Sequence, residues 1–328
     1  MKIMYTCDDN YAWLMGISAI SLFENNKNIE ELKVYLLGEN ISCENKNELK
    51  KIGDKYGREI EVIDVPELNI PTCLVSERWP LSAFTRLFSG QILPGDVDRI
   101  LYLDCDTIIL RDISELDKVQ FNGSIVMGVK DCISATYKKN VGLDKNSPYI
   151  NAGVILFDIN ALKNVAINEK IETYMNKYVQ FINYADQDIL NGVFKGYIGE
   201  LDPKFDVMTI DVVHTYEDIK KLRRPTNFYK KIELEAAILN PAIIHYTTNM
   251  RVVRPWFSNT DHPMVNEFRR YMAMSVWKDK KLTEMVFDSK EARIISIIMN
   301  LPKKLAYNIL GIIHAELRPR YIRMRAGK

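Results

Sequence analysis

The feature that most constrains the fold is an apolar run from Ile100 to Leu110 that two aspartates interrupt near its middle. The run reads ILYLDCDTIIL and shows no alternation of apolar and polar residues before Asp104. Such a strand is typical of a parallel sheet that is covered on both faces. An unpaired carboxylate is too costly to bury, so we expect a cationic group beside Asp104 and Asp106.

Strand-like segments alternate with helical ones through the first half of the chain. Strands are predicted at 2–7, 32–38, 59–65, 99–103, 124–129 and 153–158, and helices at 10–26, 43–56 and 83–90. An amphipathic pattern predicts one further helix between 160 and 181. This alternation predicts an α/β fold with a mainly parallel sheet that is flanked by helices.

Composition narrows the range of partners and compartments. The net charge of the 328-residue chain is +1, which gives no indication of a nucleic-acid partner. The five cysteines are scattered, with neither zinc-ligand spacing nor a disulfide framework, and this favours a reducing cytoplasm. No signal peptide is recognisable, and the apolar runs are shorter than the roughly 18 residues of a membrane span. We therefore expect a cytoplasmic protein that is at most peripheral to a membrane.

The two aspartates of the apolar run suggest a metal site. Because one residue separates them, Asp104 and Asp106 point the same way in an extended segment, and Cys105 points to the opposite side. Two carboxylates at the carboxyl edge of a parallel sheet suit Mg²⁺ or Mn²⁺, with phosphate oxygens completing the shell. Taken alone, the pair is equally compatible with two solvated aspartates at the start of a loop.

A D-x-D sequence after an apolar strand also occurs in the haloacid-dehalogenase-type phosphatases, where the first Asp is the nucleophile. Their motif usually lies near the start of the chain and has Thr or Val at the fourth position after that Asp. Here the position holds Ile108, and about a hundred residues precede the motif. The match to these phosphatases is therefore weak.

Polar residues also stand at the ends of two other predicted strands. Asp8, Asp9 and Asn10 follow the first strand, where polar side chains can bind the base or ribose of a nucleotide. The segment 151–153, Asn-Ala-Gly, begins another strand, and small residues there allow a ligand to approach backbone N–H groups. Both segments are candidates for one ligand site.

Two further candidates have ordinary structural readings. Asp186, Gln187 and Asp188 stand at the start of a predicted helix, and Asp186 alone would be read as its N-cap. His245 ends a short apolar run. A lone histidine is more often structural than a ligand, but imidazole is a suitable third ligand for Mn²⁺.

In their order and spacing, these segments resemble the family 8 glycosyltransferases over about residues 1–275. The resemblance rests on TCDDNY, LYLDCDTIIL, NAGVILFD, DQDILNG, HY and RPW, which are specific in combination although each alone is weak. Members of this family are retaining enzymes with the single-domain nucleotide-sugar-binding fold called GT-A. The likeness is greatest to the bacterial lipopolysaccharide galactosyl- and glucosyltransferases. It implies a GT-A catalytic domain, placed at residues 1–285, and a UDP-hexose donor such as UDP-glucose or UDP-galactose.

The resemblance also implies roles for individual residues. It assigns Asp104, Asp106 and His245 to a Mn²⁺ ion, or alternatively Mg²⁺, that bridges the two phosphates of the UDP-sugar. The other positions that match the family are Asp8 and Asn10 beside the uridine, Arg86 beside the sugar and diphosphate, Asn151, Ala152, Gly153, Asp186 and Gln187 around the sugar ring, and Asp131 near a saccharide or lipid-linked acceptor. A metal ion would act as a Lewis acid on the leaving UDP.

Retention of configuration would ordinarily suggest a carboxylate nucleophile. The family's position beneath the sugar is occupied here by Gln187, which is a poor nucleophile. Attack from the face that UDP leaves is therefore favoured, with Gln187 and Asp186 stabilising an oxocarbenium-like state. The alternative from another functional class is a nucleotide-sugar-binding protein without transfer activity, which the intact Asp104, Asp106, His245 and Gln187 oppose.

One segment departs from the family pattern. Members typically read H-x-x-G-x-x-K-P-W after the histidine, and the lysine contacts the diphosphate. Here the segment reads HYTTNMRVVRPW, which lacks the glycine and is about three residues longer. Arg254 stands where lysine is expected, and either Arg251 or Arg254 is a candidate replacement for it.

The last part of the chain, residues 286–328, is a basic amphipathic tail. Nine Lys or Arg residues and two Glu lie between positions 290 and 328, among many Ile, Leu, Met and Tyr residues. Such a segment suits the anionic inner face of the cell membrane, at roughly 1 kcal/mol per basic residue near the surface. The other interpretation is a helix that packs on the catalytic domain and keeps its basic end in solvent.

Overall fold

The computed structural model describes residues 1–65 and 81–326. The strands are β1 (Lys2–Asp8), β2 (Lys33–Glu39), β3 (Glu59–Asp64), β4 (Arg99–Leu103), β5 (Thr107–Ile109), β6 (Val126–Lys130), β7 (Ile150–Asp158), β8 (Ile198–Glu200), β9 (Val207–Met208) and β10 (Ile243–His245). The helices are α1 (Ala12–Asn25), α2 (Cys43–Tyr56), α3 (Leu81–Thr85), α4 (Ser89–Ile92), α5 (Ala135–Asn140), α6 (Ile159–Lys163), α7 (Ile167–Tyr178), α8 (Ala185–Val193), α9 (Thr209–Val213), α10 (Tyr216–Arg223), α11 (Lys231–Leu239), α12 (Val265–Ala273), α13 (Lys290–Met299), α14 (Lys303–Ile312) and α15 (Arg318–Ala326).

Seven of the described strands form one sheet in the order β3-β2-β1-β4-β7-β6-β8. All of its pairings are parallel except those of β7, which runs antiparallel to both β4 and β6. The predicted α/β fold with a mainly parallel sheet is therefore confirmed. Because β7 is reversed, its first residues lie at the same edge of the sheet as the carboxyl ends of β1, β4 and β6.

Each central strand buries both of its faces. In β4, Leu101 and Leu103 pack into the core on the α1 side, whereas Ile100 and Tyr102 pack into the core that includes α7 and α8. All four side chains are at most 1% exposed. The prediction of a strand covered on both faces is thus correct for this segment, and the physical reason is that helices cover both sides of the sheet.

The apolar run itself is divided between two sheets. Its first half is β4, and its second half is β5, which belongs to a three-stranded sheet with the order β5-β10-β9. β5 pairs antiparallel with β10, and this register sets His245 opposite Thr107. The two aspartates therefore occupy the junction between the sheets, and the second sheet carries His245 to that junction.

One predicted helix is wrong in its extent. The segment 160–181 forms α6 and α7 with a turn between them, and a 3₁₀ turn (Val179–Phe181) follows α7. The side chain of Asp158 accepts a hydrogen bond from the N–H of Ala161 and caps α6, and the N–H of Ile167 bonds to the carbonyl of Val165 in the turn. Apolar periodicity continued across this turn because both helices pack on the same face of the sheet.

The C-terminal segment packs on the body of the protein. Leu222 of α10 forms an apolar cluster with Ala306, Tyr307 and Leu310 of α14. A π-helical turn (Ile313–Leu317) joins α14 to α15, and its Ala315 carbonyl accepts a hydrogen bond of 2.8 Å from Ser134 Oγ. The tail therefore packs on the rest of the protein, as in the second interpretation given for it from the sequence. Its last two residues, 327 and 328, lie outside the described ranges. Within those ranges, no helix combines the length and the apolar character needed to cross a bilayer.

Candidate active site

Polar side chains from four strands converge at one edge of the large sheet. Asp8 ends β1, Asp104 follows β4 directly, and Asp131 follows β6 directly. Asn151 is the second residue of the reversed strand β7. The N–H of Asp104 bonds to the carbonyl of Gly153 at 2.7 Å, which joins the two segments. The carboxyl edge of the sheet is where ligands bind in open α/β folds.

Asp104, Asp106 and His245 form a compact cluster at this edge. One oxygen or nitrogen atom from each side chain lies within 4.8 Å of the other two. Nε2 of His245 is 3.2 Å from Asp106 and 3.5 Å from Asp104. Burial raises the pKa of Asp106, but His245 and Arg254 outweigh it and hold that pKa below its usual value. Two carboxylates and one imidazole are a donor set that suits Mn²⁺ or Mg²⁺.

A buried aspartate that sequence reasoning missed orients His245. Nδ1 of His245 lies 3.0 Å from Asp206, whose side chain is fully buried, so Nε2 is directed at the two other carboxylates. Burial lowers the pKa of His245, but Asp106 and Asp206 more than offset this and raise it well above its usual value. A carboxylate behind a ligating histidine fixes the ring and its tautomer. No local sequence signal distinguishes Asp206, because it lies 39 residues before His245.

Gly153 lines the wider cavity, and its lack of a side chain also makes room for His245. A Cβ atom at this position would lie 2.1 Å from Cε1 of His245. The glycine therefore makes room for the imidazole ring, and the ring packs against β7 where the sequence suggested a ligand.

The cationic partners expected beside the aspartates are Arg86, His245 and Arg254. Nη2 of Arg86 lies 3.0 Å from Asp104, and its Nε lies 3.2 Å from Asp186. Its guanidinium also stacks on Tyr102 with 4.1 Å between the guanidinium carbon and the ring centroid. Arg86 is buried, and its two carboxylate partners offset the cost of removing the guanidinium from water.

Of the two arginines in the departing segment, only Arg254 reaches the cluster. Its Nη1 lies 3.7 Å from Asp106, and the guanidinium stacks on Trp256. Arg251 instead donates a hydrogen bond to Ser296 of α13 and lies over Phe287. Arg254 is therefore the arginine of this segment that lies beside the candidate metal ligands.

Gln187 is held by three hydrogen bonds at the wall of the cleft. Its Oε1 accepts from Asn151 Nδ2 and from the N–H of Ala152, both at 3.1 Å. Its Nε2 donates to Asp131 at 3.0 Å. The network joins β6, β7 and α8, and it connects the residues that were expected around the sugar ring to the one expected near the acceptor.

Asp186 is not the N-cap of α8. That place is taken by Tyr184, whose side chain makes no capping bond, and Ala185 begins the helix with a φ of 45°. A left-handed alanine is a strained conformation, and such strain is found most often at functional sites. Asp186 points into the cleft toward Arg86, and burial raises its pKa to about 6, with Arg86 opposing the effect.

Asp188 has a structural role. Its carboxylate is fully buried and accepts hydrogen bonds of 2.6 Å from the hydroxyls of Tyr137 and Tyr149. It also accepts from the N–H groups of Asn183 and Tyr184, both at 2.8 Å. Asp188 thereby stabilises the turn that presents Tyr184, Asp186 and Gln187.

Two cavities meet at the carboxylate cluster. The wider one, of about 370 Å³, contains Gln187, Asp131 and the segment 151–153 in its wall. The narrower one, of about 230 Å³, contains Asp8. Arg86, Asp104, Asp106 and Arg254 line both cavities, so Asp104 and Asp106 stand at the boundary between the two cavities.

The narrower cavity only partly matches the residues predicted to hold a nucleoside. Asp8 lines it together with Thr6, Tyr11 and Ser82, to which no role was assigned from the sequence. Asn10 is exposed and donates a hydrogen bond of 3.1 Å to Asp8. Asp9 bonds instead to the N–H of Ser42 and to Asn45, before and within α2. Asp8 thus lines the cavity, and Asn10 orients the carboxylate of Asp8. Asp9 lies outside the cavity, beside the start of α2.

The chain is similar to known glycosyltransferases over most of its length. The family model for glycosyl transferase family 8 matches residues 2–260. General stress protein A of Bacillus subtilis is 28% identical over 280 residues, which cover 84% of this chain and 94% of that protein. A lipopolysaccharide 1,2-glucosyltransferase of Escherichia coli is 26% identical over 283 residues, which cover 85% of this chain and 79% of that protein.

A solved structure shares the architecture. The galactosyltransferase LgtC, in complex with donor and acceptor sugar analogues, matches with a TM-score of 0.68 and 24% sequence identity. The match covers 84% of this chain and 96% of that one. At this level of identity the likeness shows the fold, and it confirms the expected GT-A arrangement.

Proposed function

Because the chain belongs to glycosyltransferase family 8, we propose that it transfers a hexose from a UDP-sugar to a saccharide or lipid-linked acceptor, with retention of configuration and with Mn²⁺. One observation carries most weight: the carboxylate–histidine cluster stands where two cavities meet. A UDP-sugar has its diphosphate between the nucleoside and the sugar, and this order matches the order of the cavities. We propose the narrower cavity for uridine and the wider one for the sugar and the acceptor.

Asp104, Asp106 and His245 are the proposed metal ligands, and their donor atoms fit Mn²⁺, with Mg²⁺ as the alternative. When bound, the ion supplies Lewis-acid stabilisation of the negative charge on the departing diphosphate. Arg86 and Arg254 flank the same carboxylates and carry positive charge toward the diphosphate position. Arg254 takes the place proposed for the family's lysine.

Gln187 and Asp186 are proposed to act beside the anomeric carbon. The Gln187 carbonyl already accepts two hydrogen bonds, which reduces its nucleophilicity and fixes its orientation. Asp186 is drawn toward Arg86 and provides negative charge near the sugar. We therefore favour attack from the face that UDP leaves, with both side chains stabilising an oxocarbenium-like state. Asp131, which accepts from Gln187, is proposed to contact the acceptor.

The proposed setting is the cytoplasmic face of the cell membrane. Residues 1–285 would form the catalytic domain, and the tail 286–328 would contact anionic lipid. The support is that apolar side chains of the tail remain exposed although its helices are packed: Ile294, Ile297, Leu305, Leu317, Tyr321 and Met324 are each at least half exposed. Basic side chains, including Lys304, Arg320 and Arg325, are exposed on the same segment. This combination favours an anionic membrane surface.

The test is a screen of UDP-glucose, UDP-galactose and their N-acetyl forms for Mn²⁺-dependent release of UDP. Asp106→Ala removes a metal ligand and is expected to lower that release at least about 100-fold while the protein remains folded. Asp117→Ala, at an exposed aspartate outside the cleft, is the matched control and should behave as the wild type. Undiminished turnover in Asp106→Ala would contradict the metal assignment.

The same screen separates an enzyme from a binding protein. A protein that binds UDP tightly in calorimetry but releases none from any donor would be a nucleotide-sugar-binding protein without transfer activity. The haloacid-dehalogenase-type phosphatase alternative is set aside, because the family match includes the D-x-D segment.

A further inference from the structure

Arg223 ends α10 and lines the wider cavity where that cavity adjoins the C-terminal helices. Cys132, Ile133 and Tyr184 line this part of the wider cavity with Arg223. The same four residues also line a small adjacent crevice, whose other wall includes His314 and Arg318 of the tail. Arg223 is not one of the candidate metal ligands, and it does not line the narrower cavity that is proposed for uridine. We assign it to the acceptor side of the proposed site, because it lines the cavity together with Cys132, the neighbour of the proposed acceptor contact Asp131.

Arg223 differs from the other cationic side chains of the cavity in having no carboxylate partner. Arg86 pairs with Asp104 and Asp186, and Arg254 and His245 each lie within 4 Å of Asp106. No carboxylate of the described residues forms an ion pair with Arg223. The charge of Asp131 contributes to raising the pKa of Arg223, but the Asp131 oxygens already accept hydrogen bonds from the N–H of Cys132 and from Gln187.

The surroundings of Arg223 orient the guanidinium without neutralising it. Its Nη1 donates to Nε2 of His314, and the Tyr184 hydroxyl lies 3.3 Å from the same nitrogen. Burial, together with Arg223 itself, lowers the pKa of His314 to about 3, so this imidazole is neutral at physiological pH. The Nε of Arg223 is buried and has no hydrogen-bond acceptor among the described residues. Arg223 as a whole is half-buried at the wall of the cavity, where an anionic ligand would supply the partner that it lacks among the described carboxylates.

We propose that the acceptor of this enzyme carries an anionic group, a phosphate or a carboxylate, that binds Arg223 while the acceptor hydroxyl lies near Asp131. The inference rests on the proposed transferase function and names its class of acceptor. Arg223 lines the cavity and forms no ion pair with a described carboxylate, so its guanidinium is the group of this wall that suits an oxyanion. His314 is a positioning residue, so the tail helices form part of the acceptor site.

The first test compares matched acceptors with the full-length protein. The panel is methyl glucoside, its 6-phosphate, methyl glucuronide and a glucosyl polyprenyl diphosphate, which separate a sugar phosphate, a uronate and a lipid diphosphate as the source of charge. The wild type should use at least one anionic acceptor with kcat/KM roughly 10- to 100-fold above that for the neutral one. Arg223→Gln should lose that preference. Lys220→Gln, which removes an equal charge from an exposed position of α10, should retain it.

The second test does not depend on turnover. With UDP and Mn²⁺ at saturation to occupy the donor compartment, methyl phosphate should raise the melting temperature of the wild type and of Lys220→Gln, but not of Arg223→Gln. Equal use of neutral and anionic acceptors, or a preference that survives in Arg223→Gln, overturns the proposal. If no member of the panel accepts sugar, the melting comparison decides, and equal responses of wild type and Arg223→Gln overturn it. Absence of UDP release from every donor would instead count against the transferase function.

Discussion

At the scale of single residues, the hydrogen bonds of Gln187 lead to a specific kinetic prediction. Gln187→Ala should lower sugar transfer at saturating donor by about 100-fold, because the amide stabilises charge that develops in the transition state. The affinity for UDP should change far less, since the narrower cavity, which is proposed for uridine, does not include Gln187. Steady-state kinetics and calorimetric titration with UDP measure the two quantities.

An exposed glutamine provides the control for this prediction. Gln91→Ala removes an exposed side chain that donates a hydrogen bond to Asn168 at the surface, and we expect its kinetics to match the wild type. A Gln187→Ala protein that turns over normally but no longer binds UDP would contradict the assigned role.

Asp211 makes the stability of the protein dependent on pH. It is 3% exposed, one oxygen accepts the N–H of Met208, and the other has no partner among the described residues. Burial raises its pKa to about 8 from a reference of 3.8. The folded state therefore binds this proton more tightly than the unfolded state does, so its stabilising contribution is full below about pH 4 and is lost as the pH rises toward 8.

The variant Asp211→Asn cannot ionise and should lose this part of the pH dependence. We expect the melting temperature of the wild type to fall more steeply than that of Asp211→Asn between about pH 5 and pH 8. Asp117→Asn, at an exposed position, should follow the wild type. Parallel curves for Asp211→Asn and the wild type would show that Asp211 does not carry the raised pKa.

At the scale of elements, the contact between α10 and α14 depends on one glycine. A Cβ atom at Gly311 would lie 1.9 Å from the carbonyl oxygen of Lys221, and a backbone atom cannot rotate away. Gly311→Ala should therefore lower the free energy of unfolding by about 1–3 kcal/mol through overpacking, although alanine is the better helix former. Urea denaturation measures the change.

Gly95→Ala is the matched control, because a Cβ there would meet no atom within 4 Å. Its stability should equal or slightly exceed that of the wild type. An unchanged stability of Gly311→Ala would mean that α14 can move away from α10 at little cost, as expected for a loosely attached tail.

The tail is better tested by point substitutions than by deletion, because its helices form part of the fold. Deleting residues from 290 onward would expose Leu222 and leave Ser134 and Asn140 without their carbonyl acceptors at Ala315 and Pro319. A loss of activity after deletion would then report damage to the catalytic body as readily as loss of membrane contact.

At the scale of the whole molecule, we predict that the exposed face of the tail, residues 286–328, binds anionic membrane. The double variant Ile294→Ser/Ile297→Ser removes two side chains that are 55% and 69% exposed on α13. It should sediment with anionic vesicles at least about tenfold less strongly, because the lost apolar side chains can no longer insert. High salt should weaken binding of the wild type, since the Debye length falls from about 10 Å at 0.1 M to about 3 Å at 1 M.

The control for membrane binding lies on α11. Ile232→Ser/Leu239→Ser removes two side chains that are 76% and 84% exposed, without touching the tail. Wild type and control should bind vesicles equally. If both double variants bind as the wild type does, the exposed face of the tail is not the membrane contact.

The sequence alone determined the features that depend on local pattern. Unbroken apolar segments identified the buried strands, and one-residue spacing placed Asp104 and Asp106 on one side with Cys105 on the other, where its thiol faces the Thr6 carbonyl. The combination of short motifs identified the family and the GT-A fold. These results follow because strand periodicity is a property of neighbouring residues, and the order of the motifs is read directly along the chain.

Only the tertiary structure decided which distant residues meet. It reversed β7 so that Asn151 and Gly153 reach the same edge as Asp104, and it placed Asp206 behind His245. It selected Arg254 over Arg251 at the cluster and set Arg223 beside a helix that lies about ninety positions later in the chain. The physical reason is that strand direction and buried charge pairing are settled by packing between segments far apart in sequence. No local pattern indicates which cation of the cleft pairs with no carboxylate among the described residues.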